Sequence, residues 1–511
     1  MASHTLAVDL ARVEVEGRVV SILTWGSDVD LIERTAGGLK IRLVRHKALP
    51  DGTIQPIESV GVIPKPSKAS KLSLDDVLVP REQNRVLKLD FVDVQQGDGS
   101  VIETPGGRVV LVDGGDNQLF ARYLASRYRR TTAAAPKEID AIVVTHGDAD
   151  HFAGLTEIHA SEANDNPLKK LFIRPRRVYH NGLVKRPAGV RKDRALGRTR
   201  KVGKVTLVTG LVDNLLTVAD SQMNKPFLAW KRALGVFNGR GPIEFRRLER
   251  GDGDAFSFLA DEGVAVEVLG PIPTRAGGVT GLKFLGEPRR GPRIGHPSVT
   301  RDRFVGKSVS HTINGHSIVL RLTYGDWRIL YAGDLNEEAE QELLRDQAAG
   351  RVNLESDVLK VPHHGSADFS PEFFAAVRPV VSVVSSGDES ARKEYIHPRA
   401  TLMSALGKHA RGAEPILLVT ELVAFFDVEG WVVPEQHEDP RIDELDAHGG
   451  PKRRRKYPFF AFSRSAYGLV QLRTDGKRLL VSTNSGQVQL KEAYAYEMKD
   501  GEPVAVPVRQ V

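Results

Sequence analysis

The chain has 511 residues, of which 41% are hydrophobic and 27% charged, and a formal net charge of +7. It contains no cysteine, which excludes disulfides and thiolate metal sites and leaves histidine and carboxylate as metal ligands. There is no run of about eighteen apolar residues and no secretory signal pattern, so we expect a cytoplasmic protein with no membrane partner.

The first part of the chain is predicted to form a small β-rich unit over residues 1–63. Residues 13–23 and 39–44 alternate apolar and polar side chains, as strands with one buried face do. The following segment, residues 64–85, begins with prolines and lysines and has no apolar period, which indicates a linker.

Strands and helices alternate over the rest of the chain. We predict strands at 87–94, 100–104, 108–113, 139–145, 264–269, 317–322, 327–332, 357–361 and 380–384, and helices at 118–130, near 212–234 and at 337–349. Residues 467–483 are predicted to form a hairpin with Asp475-Gly476 at its turn. We therefore predict one α/β domain over 86–490, with two sheets flanked by helices, an insertion at about 156–310 and a tail at 491–511.

Four possible metal ligands stand within six residues, directly after the predicted strand 139–145. They are His146, Asp148, Asp150 and His151. Nitrogen and oxygen donors this close together can hold one or two divalent cations. A polar loop that caps a helix is the alternative, but two histidines and two aspartates at this spacing favour a metal site.

This segment resembles the HxHxDH motif of the metallo-β-lactamase superfamily, with Asp148 in place of the second histidine. The variant is similar to the hydrolase domain of ComEC-type competence proteins and to phosphorylcholine esterases. Further segments match in the same order: 91–98, the Asp-Gly-Gly turn at 113–115, Gly-Asp at 333–334, His-His-Gly-Ser at 363–366 and His-Pro at 397–398. The resemblance covers roughly residues 86–160 and 310–490 and implies an αβ/βα sandwich.

The resemblance implies two divalent metal ions, zinc or manganese, and six ligands: His146, Asp148, Asp150, His151, Asp334 and His364. Asp334 would bridge the two ions, although it could instead cap the helix at 337–349. His363 is a candidate to face the substrate and protonate the departing oxygen, or to exchange roles with His364. His397 is a candidate phosphate contact, proton donor or metal ligand.

Three further expectations concern residues around these ligands. Asp113 is expected to orient a ligand histidine, with a turn-forming aspartate as the equal alternative. Asp98 is placed at the border of the site. Many members of the superfamily have a further histidine ligand, for which this sequence offers three candidates, His180, His311 and His316. For each of the three we favour a structural role over metal binding.

The resemblance implies hydrolysis through a metal-bridged hydroxide, and we favour a phosphodiesterase or nuclease acting on DNA or another nucleic acid. Between residues 169 and 204 there are fourteen Lys or Arg and one acid. Candidate nucleic-acid contacts there are Lys169, Lys170, Arg174, Arg176, Arg177, Lys185 and Arg186, with Phe172, Tyr179 and His180 available for base stacking.

Three alternatives stay open. The basic stretch, like a second basic run at 452–456, can be a solvated loop. The substrate can be a small phosphoester, phosphocholine-like or a cyclic nucleotide, or a lactone, because one fold supports many reactions. A non-enzymatic metal-binding interaction protein is the third alternative. The sequence identifies no protein partner.

Overall fold

The computed structural model describes residues 3–288, 304–305, 307–387, 397–412, 414–421, 468–484 and 492–511. The N-terminal part forms a seven-stranded antiparallel sheet in the order β3-β2-β6-β5-β4-β1-β7. Its strands are β1 (His4–Leu6), β2 (Leu10–Val15), β3 (Arg18–Thr24), β4 (Asp28–Thr35), β5 (Gly38–Ala48), β6 (Ile54–Pro64) and β7 (Leu78–Pro80). Strand β7 lies in the predicted linker 64–85, which therefore completes this sheet.

A second sheet has ten strands in the order β17-β14-β12-β10-β9-β8-β28-β29-β30-β31. The strands are β8 (Leu87–Phe91), β9 (Gly99–Glu103), β10 (Val109–Asp113), β12 (Ala141–Val144), β14 (Arg177–His180), β17 (Glu244–Arg247), β28 (Leu469–Thr474), β29 (Arg478–Asn484), β30 (Ala493–Lys499) and β31 (Glu502–Val506). The predicted hairpin is β28–β29. The insertion contributes β14 and β17 to this sheet, and the predicted tail contributes β30 and β31.

A third sheet has six strands in the order β18-β23-β24-β25-β26-β27. They are β18 (Val264–Gly270), β23 (Val319–Tyr324), β24 (Trp327–Tyr331), β25 (Val358–Lys360), β26 (Val381–Val384) and β27 (Ile416–Val419). One core cluster joins the facing surfaces of this sheet and the ten-stranded sheet, with Phe91 and Val143 on one side and Leu320 and Tyr331 on the other. The two sheets therefore form a sandwich.

Helices cover the two outer faces of the sandwich. α1 (Leu119–Arg127), α2 (Ala149–Ser161) and α3 (Lys225–Gly239) pack on the ten-stranded sheet, and α5 (Glu337–Ala348), α6 (Pro371–Val377) and α7 (Ala400–His409) pack on the six-stranded sheet. A short α4 (Val309–Gly315) precedes β23. No helix in the described ranges is long and apolar enough to cross a membrane.

The helix predicted near 212–234 begins later than expected. Residues 215–217 and 220–222 form single 3₁₀ turns, and α3 starts only after Asn224. The Asn224 side chain accepts a hydrogen bond from Phe227 N at 3.1 Å, and Pro226 stands in the first turn. Asparagine at the cap and proline in the first turn both fix a helix start, which explains the difference.

Smaller sheets complete the described structure. β11 (Lys137–Ile139) pairs with β13 (Ile173–Pro175), and β21 (Glu287–Pro288) pairs with β22 (Phe304–Val305). A four-stranded sheet contains β15 (Thr199–Val202), β16 (Val205–Val208), β20 (Val279–Lys283) and β19 (Thr274–Ala276). The second basic run, 452–456, lies outside the described residues.

A buried ion-pair network joins the N-terminal sheet to the sandwich. The Asp9 side chain is fully buried, and its Oδ2 lies 2.6 Å from Arg478 Nη2 on β29. Arg509 Nη2 lies 3.0 Å from the other carboxylate oxygen. Leu10 also pairs with Gln510 through a parallel β-bridge.

Candidate metal centre

Five of the six predicted ligands meet at one edge of the sandwich, where several strands end. His146 follows β12, Asp334 follows β24, and His364 follows β25. Strands β24 and β25 are parallel neighbours, as are β10 and β12, so the residues after them emerge at a shared edge. Side chains at the carboxyl ends of parallel strands are well placed to form a site.

Asp334 lies at the centre of this group. Its Oδ1 is 3.3 Å from His151 Nε2, and its Oδ2 is 3.3 Å from His364 Nε2 and 3.8 Å from His146 Nε2. Asp150 Oδ2 lies 3.7 Å from His364 Nε2. Helix α5 is capped by Asn336, whose side chain accepts from Ala339 N at 3.2 Å, so Asp334 does not serve as the cap.

The donor set fits a divalent cation. Four atoms of the group are buried and have no hydrogen-bond partner in the described part of the chain: Nε2 of His146, His151 and His364, and Oδ1 of Asp334. Burying polar atoms without hydrogen bonds costs free energy, and a bound cation would satisfy these four atoms. Two overlapping ligand groups, His146–His151–Asp334 and Asp150–His151–His364, each keep their ligand atoms within 4.8 Å of one another.

In two of these histidines, His151 and His364, the other ring nitrogen, Nδ1, lies within hydrogen-bonding distance of a carboxylate or a backbone carbonyl. His151 Nδ1 lies 2.9 Å from Asp113 Oδ2, and the same oxygen accepts from Thr145 Oγ1 at 2.6 Å. His364 Nδ1 lies 3.0 Å from Ser385 O and 3.3 Å from Asp98 Oδ1. Hydrogen bonds at Nδ1 fix the ring so that Nε2 faces the cluster, which is the role expected of Asp113.

We expect Asp113→Asn to weaken metal binding by about 10- to 100-fold, because it removes the carboxylate that orients His151. The affinity for Mn²⁺, measured by isothermal titration, tests this. The exposed Asp75→Asn change is the matched control. Unchanged affinity in Asp113→Asn would show that Asp113 serves the turn and not the metal centre.

The backbone brings these side chains together by unusual turns. Asp113, His363 and His364 have φ values of 57°, 49° and 54°, in the left-handed region that non-glycine residues rarely adopt. Behind Asp113 the chain approaches α2 so closely that a Cβ at Gly154 would lie 2.0 Å from Gly114 O. Gly114 and Gly154 therefore let the Asp-Gly-Gly turn pack against α2, the helix that carries His151.

Burial and the carboxylates act in opposite directions on the histidines. Burial lowers the pKa of His146 well below its ordinary value. Burial acts on His151 too, but Asp334 and Asp113 outweigh it and raise the pKa of His151 well above its ordinary value. Against the effect of burial, Asp334 also raises the pKa of His364 to about 10. The carboxylates thus attract cations to these nitrogens, and metal binding would displace protons.

Asp148 stands apart from the other predicted ligands. It belongs to none of the ligand groups that the described residues form. Its Oδ1 is paired with Lys185 Nζ. With the Asn314 amide turned so that its nitrogen faces Asp148, that nitrogen donates to Asp148 Oδ2 at 2.8 Å.

The other histidines divide between the border of the site and separate structural roles. The ring centroid of His363 lies 6.2 Å from that of His364 and 6.3 Å from that of His397. The three candidates for a further ligand bond elsewhere. His316 Nε2 lies 2.7 Å from Lys283 O, His180 Nε2 lies 3.0 Å from Asp213 O, and His311 Nδ1 lies 3.4 Å from Asp368 Oδ2.

The structure separates the predicted basic contacts into two groups. Lys169, Lys170, Arg174, Arg176 and Arg177 lie before or at the amino ends of β13 and β14, whereas the metal cluster lies beyond the carboxyl end of β12, the parallel neighbour of β14. Three of these arginines are also ion-paired, Arg174 and Arg176 with Glu138 and Arg177 with Glu244.

The remaining predicted contacts and the aromatic side chains also have defined partners. Lys185 pairs with Asp148 beside the cluster, and Arg186 Nη1 donates to Gln222 O at 2.9 Å. Tyr179 is fully buried, which excludes base stacking on its ring, and Phe172 is covered by Arg240 at 5.4 Å from its ring centroid.

Three contributors to the site were not expected from the sequence. Thr145 bonds to Asp113 and lies 3.2 Å from His146 Nδ1. Lys360 is buried and ion-paired with Asp98. Gln96 Nε2 donates to Asp150 Oδ2 at 3.1 Å. Their position in the sequence could have identified two of them, because Thr145 immediately precedes His146 and Lys360 stands shortly before His363.

Parts of the chain are similar in sequence to known proteins. Residues 92–164 match the model of the metallo-beta-lactamase superfamily. Over 341 residues the chain is 22% identical to ComE operon protein 3 of Bacillus subtilis (strain 168), a match covering 63% of this chain and 31% of that protein. Over 97 residues it is 37% identical to competence protein ComA of Neisseria gonorrhoeae, covering 19% and 13%.

A solved structure, Tm1679, a metal-dependent hydrolase of the beta-lactamase superfamily, is 11% identical with a TM-score of 0.30, covering 65% of this chain and 95% of that one. The matched part of the chain spans less than a third of the length of either curated relative. The sequence matches confirm the resemblance predicted from the motifs, and the helix-covered sandwich is the fold that this resemblance implied.

Proposed function

We propose that this chain, which resembles metallo-β-lactamase-superfamily hydrolases, is a phosphodiesterase that cleaves nucleic acid at the cluster around Asp334. The observation that carries the proposal is the buried set of three imidazole nitrogens and the Oδ1 of Asp334, which have no hydrogen-bond partner among the described residues. When bound there, divalent cations would activate water and neutralise the charge that develops on a phosphodiester.

The chain's own residues would divide the remaining work. Asp113 and Asp98 hold the imidazoles of His151 and His364 in orientation. His363 borders the cluster, and its Nε2 lies 3.3 Å from the Asn314 side-chain amide. We assign His363 the proton for the departing oxygen, because it is adjacent to the cluster without belonging to its ligand groups.

A cationic hairpin that is linked to the cluster through packed residues supports a polyanionic substrate. The β15–β16 hairpin carries exposed Arg200, Lys201 and Lys204, and these have no ion-pair partner in the described ranges. The hairpin packs through Val208 on the loop of Leu183, which leads to Lys185 beside the cluster. This surface replaces the paired arginines of β13 and β14 as the proposed nucleic-acid contact.

Removing the charges of this hairpin tests the surface. We expect Arg200→Gln/Lys201→Gln/Lys204→Gln to weaken DNA binding and to lower the salt-dependence slope by about 3, since each phosphate contact contributes roughly 0.9. Filter binding over a salt series measures the slope. The matched control is Arg174→Gln/Arg176→Gln, which removes cations paired with Glu138. Equal slopes in both variants and the wild type would rule out this surface.

The proposed reaction is tested by metal content and by hydrolysis of single- and double-stranded DNA and bis-p-nitrophenyl phosphate. Asp150→Ala is the inactive comparison, with zinc or manganese added. Metal-dependent DNA cleavage that this variant loses supports the proposal. Turnover of the small diester alone points to a small phosphoester. Bound metal without turnover of either substrate directs the search to lactones, and neither metal nor turnover indicates an interaction protein.

A further inference from the structure

Asp148 and Asp150 are separated by one residue and yet differ in how their carboxylates are used. Both oxygens of Asp148 are engaged by protein donors, Oδ1 by Lys185 and Oδ2 by Asn314. In the part of the chain that the structure describes, the Asp150 carboxylate has one hydrogen-bond donor, Gln96, and its Oδ2 lies 3.7 Å from His364 Nε2. The cluster therefore offers Asp150 to a cation more readily than Asp148.

Lys185 is fixed in place for this contact. Its carbonyl accepts from Asn224 N at 3.0 Å, and the next residue, Arg186, donates its N–H to Ala195 O at 2.8 Å. Leu183, two residues before it, is buried in the core beneath the β15–β16 hairpin. The Lys185 side chain is only 28% exposed, so its ammonium is partly withdrawn from water and held against Asp148.

The ion pair has a consequence for the metal centre. A dication that used Asp148 as a ligand would have to displace the ammonium, because both would occupy the same carboxylate. None of the ligand groups formed by the described residues contains Asp148 while it is paired with Lys185. The Asp150–His151–His364 group includes a carboxylate from the motif, Asp150, whereas His146 would gain a motif carboxylate only from Asp148.

We propose that Lys185 competes with a divalent cation for Asp148, so that the two metal positions have unequal affinity. The position of Asp150, His151 and His364 fills first. The position of His146 and Asp334 fills second, and it gains Asp148 as a further ligand only when Asp148 exchanges Lys185 for the metal. Lys185 is thus a positioning residue that sets metal occupancy through Asp148. The inference concerns cation binding and does not depend on the substrate proposed above.

Mn²⁺ titration of the metal-free 511-residue chain, followed by calorimetry and by the loss of free Mn²⁺ signal in electron paramagnetic resonance, tests this. In the wild type we expect a tight first equivalent and a weaker second. Lys185→Gln should tighten the second equivalent by on the order of tenfold, the scale for changing a group bonded to a metal ligand, and leave the first nearly unchanged.

A double-mutant cycle separates competition from general electrostatics. Lys185→Gln also removes a positive charge from the neighbourhood, which favours cations whether or not Asp148 binds them. If Asp148 is the shared carboxylate, the effect of Lys185→Gln disappears in an Asp148→Asn background. Lys225→Gln is the matched control, since Lys225 is exposed and adjacent to Asn224, which contacts the Lys185 backbone.

Each outcome decides the proposal. A tighter second equivalent that depends on Asp148 supports it. The same tightening in the Asp148→Asn background, or in Lys225→Gln, overturns it in favour of a general charge effect. Unchanged or weaker binding in Lys185→Gln also overturns it, provided that the first equivalent and the thermal unfolding midpoint show an intact fold. A protein that binds Mn²⁺ in this way but cleaves no diester contradicts only the proposed function.

Discussion

Replacing Asp334 by asparagine is expected to lower the turnover of bis-p-nitrophenyl phosphate by about 10³-fold, the loss of several kcal/mol of charge stabilisation. Within the described ranges, Asp334 is the one carboxylate whose oxygens face all three Nε2 atoms, at 3.3, 3.3 and 3.8 Å. An asparagine of the same shape retains one oxygen but no negative charge. The three histidines would then hold bound cations with less opposing charge nearby, and the amount of bound metal should fall as well.

The comparison needs a variant with the same chemical change elsewhere. Asp326 is exposed in the turn between β23 and β24, away from the cluster, and Asp326→Asn should retain full turnover. Metal content by elemental analysis and steady-state kinetics are measured on the same samples. Asp334→Asn with wild-type turnover and metal content would remove Asp334 from the centre of the site.

Asp9→Ala is expected to lower the free energy of unfolding by about 3–5 kcal/mol, the cost of removing one partner from a buried ion pair. Asp9 is fully buried, Arg478 keeps only 8% of its side chain exposed, and Arg509 Nη2 lies 3.0 Å from Asp9 Oδ1. The substitution leaves two arginines without their shared carboxylate. Urea denaturation followed by circular dichroism measures the loss, with the earliest transition as the readout.

Asp75→Ala provides the contrast within the same N-terminal region. Asp75 pairs with Arg34 at 3.0 Å, but its side chain is 89% exposed. Solvent-exposed ion pairs contribute about 0–1 kcal/mol, so the midpoint should barely move. Equal effects of the two substitutions would show that the Asp9 network does not attach the N-terminal sheet to the sandwich.

The sequence predicted the metal cluster better than its surroundings, for a physical reason. Candidate ligands that follow strand ends can be recognised from short local sequence motifs. The structure brings four residues from such motifs together, namely His146, His151, Asp334 and His364. Asp148 carries the same local signal, but its partner Lys185 is 37 positions away, and no spacing rule connects them. Long-range pairing of this kind depends on how parallel strands align.

The same limit applies to the basic stretch and to the sheet borders. A linear count groups Arg174 with Lys185, but the strand β14 between them separates the two ends by roughly the length of a strand, with a rise of about 3.3 Å per residue. Strands β7 and β14 have only three and four residues, too few for an alternating pattern to identify. The start of α3, by contrast, was readable from Asn224 and Pro226.

The left-handed turns at Asp113, His363 and His364 have a consequence for metal affinity. Ordering a flexible ligand loop when a cation arrives would cost about 1–2 kcal/mol of conformational entropy per residue. Here the packing of the fold imposes the ligand conformation beforehand: a Cβ at Gly365 would lie 2.6 Å from Pro398 Cβ, so this turn has little freedom. The candidate metal centre is therefore preorganised. Its metal affinity depends in part on residues such as Gly365 and Pro398, which are not ligands themselves.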